Sequence, residues 1–222
     1  LGTLLAVLIY FRRDLWNIFT GVVEGIRLRQ PLAGQDSRLG WFIILGSIPA
    51  VIFGLLFNDA LEKALANPSA AALLLLGNAL ILTAGEKSLR GFKSLSAILP
   101  TDAITIGLAQ VAALFPGISR SGVTISTGLV RGFDRSSATR FSFLLGVPVI
   151  AGAGLIAAVE LVNSPDLGEN IVALVVTFFT AFIVGYLCIY FLLRWVKNHT
   201  LYIFAIYSAL AGSFYLIIEW IR

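Results

Sequence analysis

The chain has 222 residues, of which 58% are hydrophobic and only 13% are charged, and its mean hydropathy is +0.92. A soluble domain carries about a quarter charged residues and cannot bury this much apolar surface, so the composition excludes a soluble protein. The net charge of +4 would suit a nucleic-acid binder. Here, however, the basic residues lie in short loops between apolar runs, which indicates membrane topology instead.

Six apolar runs predict membrane-spanning helices, each of which needs about 20 apolar residues. In chain order they are Leu1–Phe11, Trp41–Phe57, Ala70–Ala84, Phe141–Val162, Ile171–Leu193 and Leu201–Ile218. The first resembles the end of a longer span, so we expect the chain to be a fragment that lacks an upstream segment. The sequence thus predicts an all-α, polytopic integral membrane protein with about six spanning helices in one domain, residues 1–222.

Two shorter apolar segments, Ala103–Phe115 and Ser121–Val130, flank the sequence Pro116-Gly117-Ile118-Ser119-Arg120. Segments of about 10 to 14 residues are too short to span a bilayer and are typical of re-entrant elements. The pattern predicts a helix-loop-helix hairpin over about residues 103–131 that enters the membrane and turns back. The alternative is one long kinked span that contains a charge.

The distribution of charge favours the re-entrant hairpin. Most of the 16 Lys and Arg residues fall in four loops, which hold Arg12, Arg13, Arg27, Arg29 and Arg38; Lys87, Arg90 and Lys93; Arg131, Arg135 and Arg140; and Arg194 and Lys197. If the hairpin enters and leaves on one side, the positive-inside rule places all four loops in the cytoplasm. We expect Glu24 and Glu86, in or beside these loops, to be solvated, and His199 to be an ordinary loop residue.

A short internal similarity suggests a duplicated architecture. Residues Leu45–Gly54 resemble residues Leu145–Gly152, and both segments contain a Leu-Gly pair followed by proline. Such short matches are common in apolar sequence, so this one is weak evidence by itself. It fits an inverted-repeat membrane fold with a site near the midplane.

The segment at the hairpin turn contains the residue types that bind phosphate. Its candidate residues are Gly117, Ser119, Arg120, Ser121, Gly122 and Thr124. A charge at membrane depth costs about 2.5–3.5 kcal/mol on insertion scales and therefore needs a partner or a function. Arginine matches phosphate oxygens, glycine permits close backbone approach, and the start of the second helix offers free N–H groups. The alternative is a capped helix turn whose Arg120 pairs with a distant acid. Asp102, which follows Pro100-Thr101, is expected to cap or precede the first hairpin helix.

Residues 116–124, Pro-Gly-Ile-Ser-Arg-Ser-Gly-Val-Thr, resemble the PGxSRSGxT signature of the bacterial undecaprenyl-diphosphate phosphatases, membrane enzymes associated with bacitracin resistance. The flanking residues agree with the family over essentially the whole chain: Gln110, Ala113-Leu114, Phe141–Leu145, Val147-Pro148, Arg12-Arg13 and Phe204–Tyr207. The resemblance implies spanning helices with two oppositely oriented re-entrant hairpins. It also implies hydrolysis of undecaprenyl diphosphate to the monophosphate carrier, which cell-wall synthesis reuses, and inorganic phosphate.

The resemblance assigns residues to roles. It implies Arg120 and Ser119 as catalytic residues, and Gly117, Ser119, Arg120, Ser121, Thr124 and Gln110 as phosphate-binding residues. It implies a divalent cation, Mg or Ca, whose ligands belong to a Glu-rich first hairpin; we expect that hairpin to precede Leu1. No metal ligand is therefore assigned here, and the fragment alone is expected to be inactive.

The implied setting is the bacterial cytoplasmic membrane. The expected partners are undecaprenyl diphosphate, the membrane lipids and a second copy of the chain in a homodimer, with no nucleic acid. Two rival interpretations remain from the residues alone. A lipid or anion carrier would use the same fold, and a non-catalytic scaffold would leave the arginine at membrane depth without a function.

Overall fold

The computed structural model of the chain describes residues 1–57, 61, 66–163 and 167–221, with only the backbone for 167–170. This described part is all-α. Its helices are α1 (Gly2–Tyr10), α2 (Arg12–Arg27), α3 (Gln35–Leu56), α4 (Pro68–Lys87), α5 (Pro100–Ala112), α6 (Arg120–Val130), α7 (Arg135–Val162), α8 (Leu167–Asn198) and α9 (Tyr202–Ile221), with a 3₁₀ turn at Leu95–Ala97. Helices α3, α4, α7, α8 and α9 are long and apolar enough to cross a membrane, which confirms a multi-pass protein.

The first predicted run differs from the other five. Leu1–Phe11 forms α1, which has nine residues and ends at Tyr10, whereas a span needs about 20. The described residues therefore contain five candidate spans rather than about six.

Helix α2 lies where the sequence analysis expected only a basic loop. Its apolar residues Trp16, Phe19, Val23 and Ile26 recur every three or four positions and are all exposed. This spacing places them on one helix face, whereas Ile18 and Gly25 on another side of α2 are buried where the helix packs on α3. The loop prediction rested on the arginines alone and overlooked this periodicity.

Helices α5 and α6 form an antiparallel hairpin, and its open end is tied together by charge. Arg131, just after α6, donates a hydrogen bond of 2.8 Å from Nε to Oδ1 of Asp102 in the first turn of α5, and Lys93 also pairs with Asp102. At the turn, the Ser119 N–H donates to Oδ1 of Asn78, near the middle of α4, at 3.1 Å. The hairpin thus starts at one end of the bundle and turns back about halfway along it.

Ion pairs and hydrogen bonds join the predicted basic loops at that same end of the bundle. Besides the pair at Asp102, Arg140 pairs with Asp14, Arg135 pairs with Glu86, and the Leu201 N–H donates to Glu86 at 3.1 Å. The basic loops therefore lie together, as the charge pattern requires. The prediction that Glu86 is solvated is wrong, because its side chain is buried between Arg135 and the start of α9.

The hairpin lies at the centre of the packing. Helix α6 packs against α4, α5 and α7, and α5 packs against α3. Leu129 and Leu144 are fully buried between α6 and α7. A Cβ atom on Gly107 of α5 would collide with the carbonyl of Gly46 in α3, so these two glycines allow the backbones to touch. The surrounding helices hold the hairpin on several sides.

Candidate functional site

The hairpin turn is pressed against α4. Gly117 has a φ of +93°, a conformation that favours glycine, and a Cβ at this position would collide with the carbonyl of Ala71. Both the local conformation and the close packing therefore require glycine. This requirement explains the Pro116-Gly117 break physically and fixes where the following helix starts.

Ser119 caps α6 and is held from behind by Asn78. The Ser119 Oγ accepts a hydrogen bond from the Gly122 N–H at 3.1 Å, while its own backbone N–H donates to Asn78. Asn78 is buried and also donates from Nδ2 to the Ser208 Oγ of α9 at 3.0 Å. The side chain of Asn78 therefore connects the turn to two candidate spans, α4 and α9. Asn78 was not among the residues predicted from the sequence, although a lone amide inside a leucine-rich run is a signal of a functional or packed polar site.

A cavity of about 430 Å³ opens beside the turn. Gly117, Ser119 and Ser121 line it on the hairpin side, and the two serine Oγ atoms lie 3.5 Å apart. The rest of the lining includes Asn78 and Ser208 together with an apolar wall of Leu75, Leu82, Ile125, Leu192, Leu201, Phe204 and Tyr207. The cavity thus combines a small polar end with a long apolar side, as an amphipathic ligand requires.

Arg120 points away from this cavity. Its guanidinium lies against Gly146 of α7 so closely that a Cβ atom on Gly146 would collide with it. Nη1 of Arg120 is buried and has no hydrogen-bond partner among the described residues, and none of their ion pairs involves Arg120. In the part of the chain that the structure describes, the alternative of a distant acid partner therefore finds no support.

Thr124 is occupied by protein contacts. Its buried hydroxyl donates to the Arg120 carbonyl at 2.8 Å and lies 2.6 Å from the Ser142 Oγ of α7. These contacts hold the first turn of α6 against α7. Ser142 is a second residue that the sequence analysis did not single out for the site, although it lies in the flanking segment that resembles the family.

Gln110 is almost completely buried in α5, and neither its Oε1 nor its Nε2 has a hydrogen-bond partner among the described residues. An unpaired buried amide costs about 1–3 kcal/mol, so such a group calls for an explanation. The structure therefore separates the predicted residues. Gly117, Ser119 and Ser121 line the cavity, Thr124 and Gln110 lie in the packed interior, and the half-buried Arg120 lies against Gly146 of α7.

The described residues bring together no group of three His, Cys, Asp or Glu side chains that could hold a metal ion. The donors at the turn are hydroxyls, an amide and a guanidinium, which are poor ligands for Mg or Ca compared with carboxylates. These residues therefore do not by themselves fit a divalent-cation site.

Asp102 and His199 do not belong to the hairpin turn, and each makes contacts elsewhere. Asp102 accepts from the Leu99 N–H at 2.9 Å, which confirms the predicted cap. Burial opposes its ionisation, but hydrogen bonds from Lys93, the Leu99 N–H and Arg131 outweigh it and lower the pKa of Asp102. His199 stacks on Trp195 at the end of α8, with ring centroids 4.0 Å apart.

The amino-acid sequence is similar to proteins of a known family. The profile of the bacitracin resistance protein BacA family matches residues 1–214. The undecaprenyl-diphosphatase of Chlorobium limicola is 43% identical over 224 residues, which covers 96% of this chain and 78% of that protein. The undecaprenyl-diphosphatases of an Anaeromyxobacter species and of Corynebacterium efficiens are 42% and 38% identical, covering 99% and 100% of this chain and 72% and 75% of those proteins.

Proposed function

This chain belongs to the bacitracin resistance protein BacA family, and we propose that it hydrolyses undecaprenyl diphosphate to undecaprenyl phosphate and inorganic phosphate. The reaction returns the lipid carrier to cell-wall synthesis in the bacterial cytoplasmic membrane. The observation that carries the proposal is the hairpin turn. It places an arginine without an acid partner among the described residues, two cavity-lining serines and a capped helix start within one short segment.

We further propose that α5 and α6 form a re-entrant hairpin. Both ends lie at the basic end of the bundle, and the turn meets α4 near its middle. Helices of 13 and 11 residues are about 20 Å and 17 Å long, less than the roughly 30 Å of a bilayer core. A hairpin of this length places Ser119 and Arg120 near the midplane, where an inverted-repeat fold would hold its substrate.

Each residue of the proposed site has a distinct role. Ser119 and Ser121 donate hydrogen bonds to the diphosphate in the cavity, and the free N–H groups at the start of α6 add to the attraction for negative charge. Arg120 stabilises the charge that develops on the phosphoryl oxygens, which requires its guanidinium to swing from Gly146 toward the turn. Gly117 lets the backbone approach. Thr124 holds the first turn of α6 against α7, and its hydroxyl and the unpaired amide of Gln110 remain the proposed further phosphate-binding groups.

The chemical step transfers the terminal phosphoryl group. A nucleophile, either the hydroxyl of Ser119 or a water molecule, forms a new bond to the terminal phosphorus. The bond from that phosphorus to the bridging oxygen breaks, its electron pair stays on the undecaprenyl phosphate, and the proton of the nucleophile is released to water. A serine nucleophile gives a phosphoserine that water then hydrolyses, whereas direct attack by water gives inorganic phosphate in one step.

The divalent cation that the family resemblance implies would neutralise phosphate charge when bound. The described residues do not supply its ligand set, so no step of this mechanism passes through it. The homodimer also remains a proposal, which the molar mass of the detergent-purified protein would test.

The deciding experiment measures phosphate release from undecaprenyl diphosphate. The detergent-purified chain is compared with a version extended before Leu1 by the N-terminal segment of the Chlorobium limicola relative. We expect phosphate release from the extended version and little from the chain alone. Release by the chain alone would mean that all catalytic groups lie within it, and Ser119 and Ser121 would then be re-examined as the nucleophile.

The same assay separates the enzyme from a carrier, which has the same architecture but different chemistry. A carrier in proteoliposomes moves lipid or anion across the bilayer and releases no phosphate. If neither version released phosphate while lipid transport was observed, the phosphatase proposal would be wrong. The version that releases phosphate is the active form of the protein.

A further inference from the structure

A second polar cavity lies at the basic end of the bundle and has no lining residue in common with the cavity at the hairpin turn. Its volume is about 280 Å³, and it lies between the junction of α1 and α2, the start of α7 and the end of α8. It is lined by Tyr10, Phe11, Asp14, Ser136, Arg140, Leu193, Arg194 and Lys197. The proposed phosphatase mechanism uses none of these residues.

The charges of this cavity do not cancel. It contains three cationic side chains and one carboxylate, Asp14, which pairs with Arg140. Among the described residues, Arg194 and Lys197 form no ion pair, so the cavity has an excess of two positive charges. Such an excess between helices at the cytoplasmic end of a membrane protein attracts anionic lipid headgroups.

Arg194 is positioned without being neutralised. Its guanidinium donates a hydrogen bond to the Tyr190 hydroxyl and lies over the Tyr190 ring, 5.0 Å from its centroid. Contact with an aromatic face orients a guanidinium while leaving its positive charge available. The planar group therefore remains able to bind a phosphate oxygen pair.

The rest of the lining suits a lipid more than a free ion. The buried ring of Phe11 and the side chain of Leu193 form an apolar part, while the Tyr10 and Ser136 hydroxyls can donate hydrogen bonds. The cavity lies at the ends of two candidate spans, α7 and α8, where headgroups are found. Asp14 belongs to α2, whose exposed apolar face and basic residues are typical of a helix that lies in the interface plane.

We propose that this cavity binds the phosphate headgroup of an anionic phospholipid from the surrounding leaflet. Arg194 and Lys197 contact the phosphate, Tyr10 and Ser136 donate hydrogen bonds to it, and the acyl chains follow the apolar side past Phe11 and Leu193. The proposal requires only that the chain spans a membrane. It stands or falls independently of the phosphatase activity.

Native mass spectrometry of the detergent-purified chain, with equimolar phosphatidylglycerol and phosphatidylcholine, tests this proposal. We expect the wild-type chain to retain phosphatidylglycerol preferentially. The double variant Arg194→Gln/Lys197→Gln should reduce the ratio of bound phosphatidylglycerol to phosphatidylcholine by roughly tenfold or more, because each cation near a membrane surface contributes about fivefold. The matched control, Lys87→Gln/Arg90→Gln, removes the same charge from another basic loop and should leave the ratio unchanged.

Three results would overturn the lipid site. The wild-type chain could retain both lipids equally, or the two double variants could lose the preference equally, which would indicate only general surface charge. Alternatively, millimolar inorganic phosphate could displace the phosphatidylglycerol, which would indicate a site for free anions. If the double variant does not elute as a single species, Lys197→Gln alone is used, with an expected loss of about fivefold.

Discussion

The two ends of the hairpin formed by α5 and α6 are held in opposite ways. At its open end, the carboxylate of Asp102 is paired with both Lys93 and Arg131. At its turn, the backbone is held by neutral groups, and the one charged residue, Arg120, has an unpaired buried Nη1 among the described residues.

The difference separates charge that stabilises the fold from charge that is available for chemistry. A carboxylate that accepts several hydrogen bonds is fixed and has little capacity for another ligand. The guanidinium of Arg120 forms no ion pair or hydrogen bond with the described residues, so its movement to a phosphate would break none. The following predictions test this division, in order of decreasing expected effect.

The comparison predicts the largest effect for Arg120→Ala. In the active form, phosphate release should fall by about 10²–10³-fold, equivalent to about 2.7–4 kcal/mol of transition-state stabilisation. The thermal unfolding midpoint should stay near that of the wild type, because no ion pair of the described residues is lost. Initial rates of phosphate release and scanning fluorimetry in detergent measure the two quantities.

The matched control is Arg131→Ala at the other end of the hairpin, which should lower the unfolding midpoint while the folded fraction keeps its turnover. Near-normal turnover by the Arg120 variant would show that the assignment of this residue is wrong. Equal loss of activity in both variants would show that charge at the turn is no more important for catalysis than charge at the open end of the hairpin.

The second prediction concerns Asp102→Asn. This change keeps the shape of the side chain but leaves Lys93 and Arg131 without their carboxylate, and it should reduce the free energy of unfolding by about 2–3 kcal/mol. Both cations are partly exposed, so the loss is smaller than for a completely buried pair. Denaturant unfolding at neutral pH, with turnover measured on the folded fraction, is the test.

The effect of pH gives this prediction a defined sign. The folded-state pKa of Asp102 is lowered from its ordinary value of 3.8, so its stabilisation is complete above that value and is lost as the pH falls through the folded pKa. The stability difference between wild type and Asp102→Asn should therefore be constant at neutral pH and shrink below about pH 3.8. A difference that instead grew in acid would contradict the assignment of Asp102 as the ionised partner.

The substitution Gly146→Ala should displace the side chain of Arg120 without replacing this residue. In Gly146→Ala the new methyl group would occupy the position of the guanidinium, which can move because it is the end of a flexible side chain. The displaced guanidinium then no longer starts its movement toward the turn from this packed position. Phosphate release should fall by about 10–100-fold, since small misplacements of a catalytic group have effects of this size. The control Gly152→Ala adds the same methyl group to α7 where no atom lies within 4 Å, and it should retain activity.

Equal activity of the two glycine variants would indicate that the packing of Arg120 on Gly146 has no catalytic significance. A rise in activity of Gly146→Ala would indicate that Gly146 holds Arg120 in a resting position and that its release favours the reaction.

The sequence predicted the hairpin and the spans well because both depend on patterns that are local. Apolar length identified five spans, and Pro116-Gly117 marked the turn that a φ of +93° now explains. The bounds of α5 and α6 differ by only a few residues from those predicted.

Pairing between distant residues could not be predicted in this way. Glu86 appeared to be a solvated loop charge, but its partner Arg135 lies 49 positions further along the chain. The contact of Arg120 with Gly146 depends on how α6 packs on α7, which no local pattern specifies. The periodicity of α2, by contrast, is a local pattern. It could have been predicted from the sequence, but the arginines led to the prediction of a loop.

The smallest predicted effect concerns Asn78, the neutral anchor of the turn. Asn78→Ala removes the acceptor of the Ser119 N–H and the donor to Ser208, and it should reduce phosphate release by about 5–30-fold, or about 1–2 kcal/mol. Ser208→Ala removes only the link to α9, so its effect should be less than half as large. The double variant should be no worse than Asn78→Ala alone, because both substitutions break the same connection.

The kinetic pattern distinguishes positioning from general stabilisation. If Asn78 places Ser119 for the reaction, kcat should fall while KM changes little, since the interaction matters most in the transition state. Asn78→Asp keeps an oxygen acceptor for the Ser119 N–H but adds negative charge beside the phosphate, so it should raise KM as well. A variant that lost stability but kept kcat would show that the turn is fixed by Gly117 and its contact with α4, and that the amide contributes only to packing.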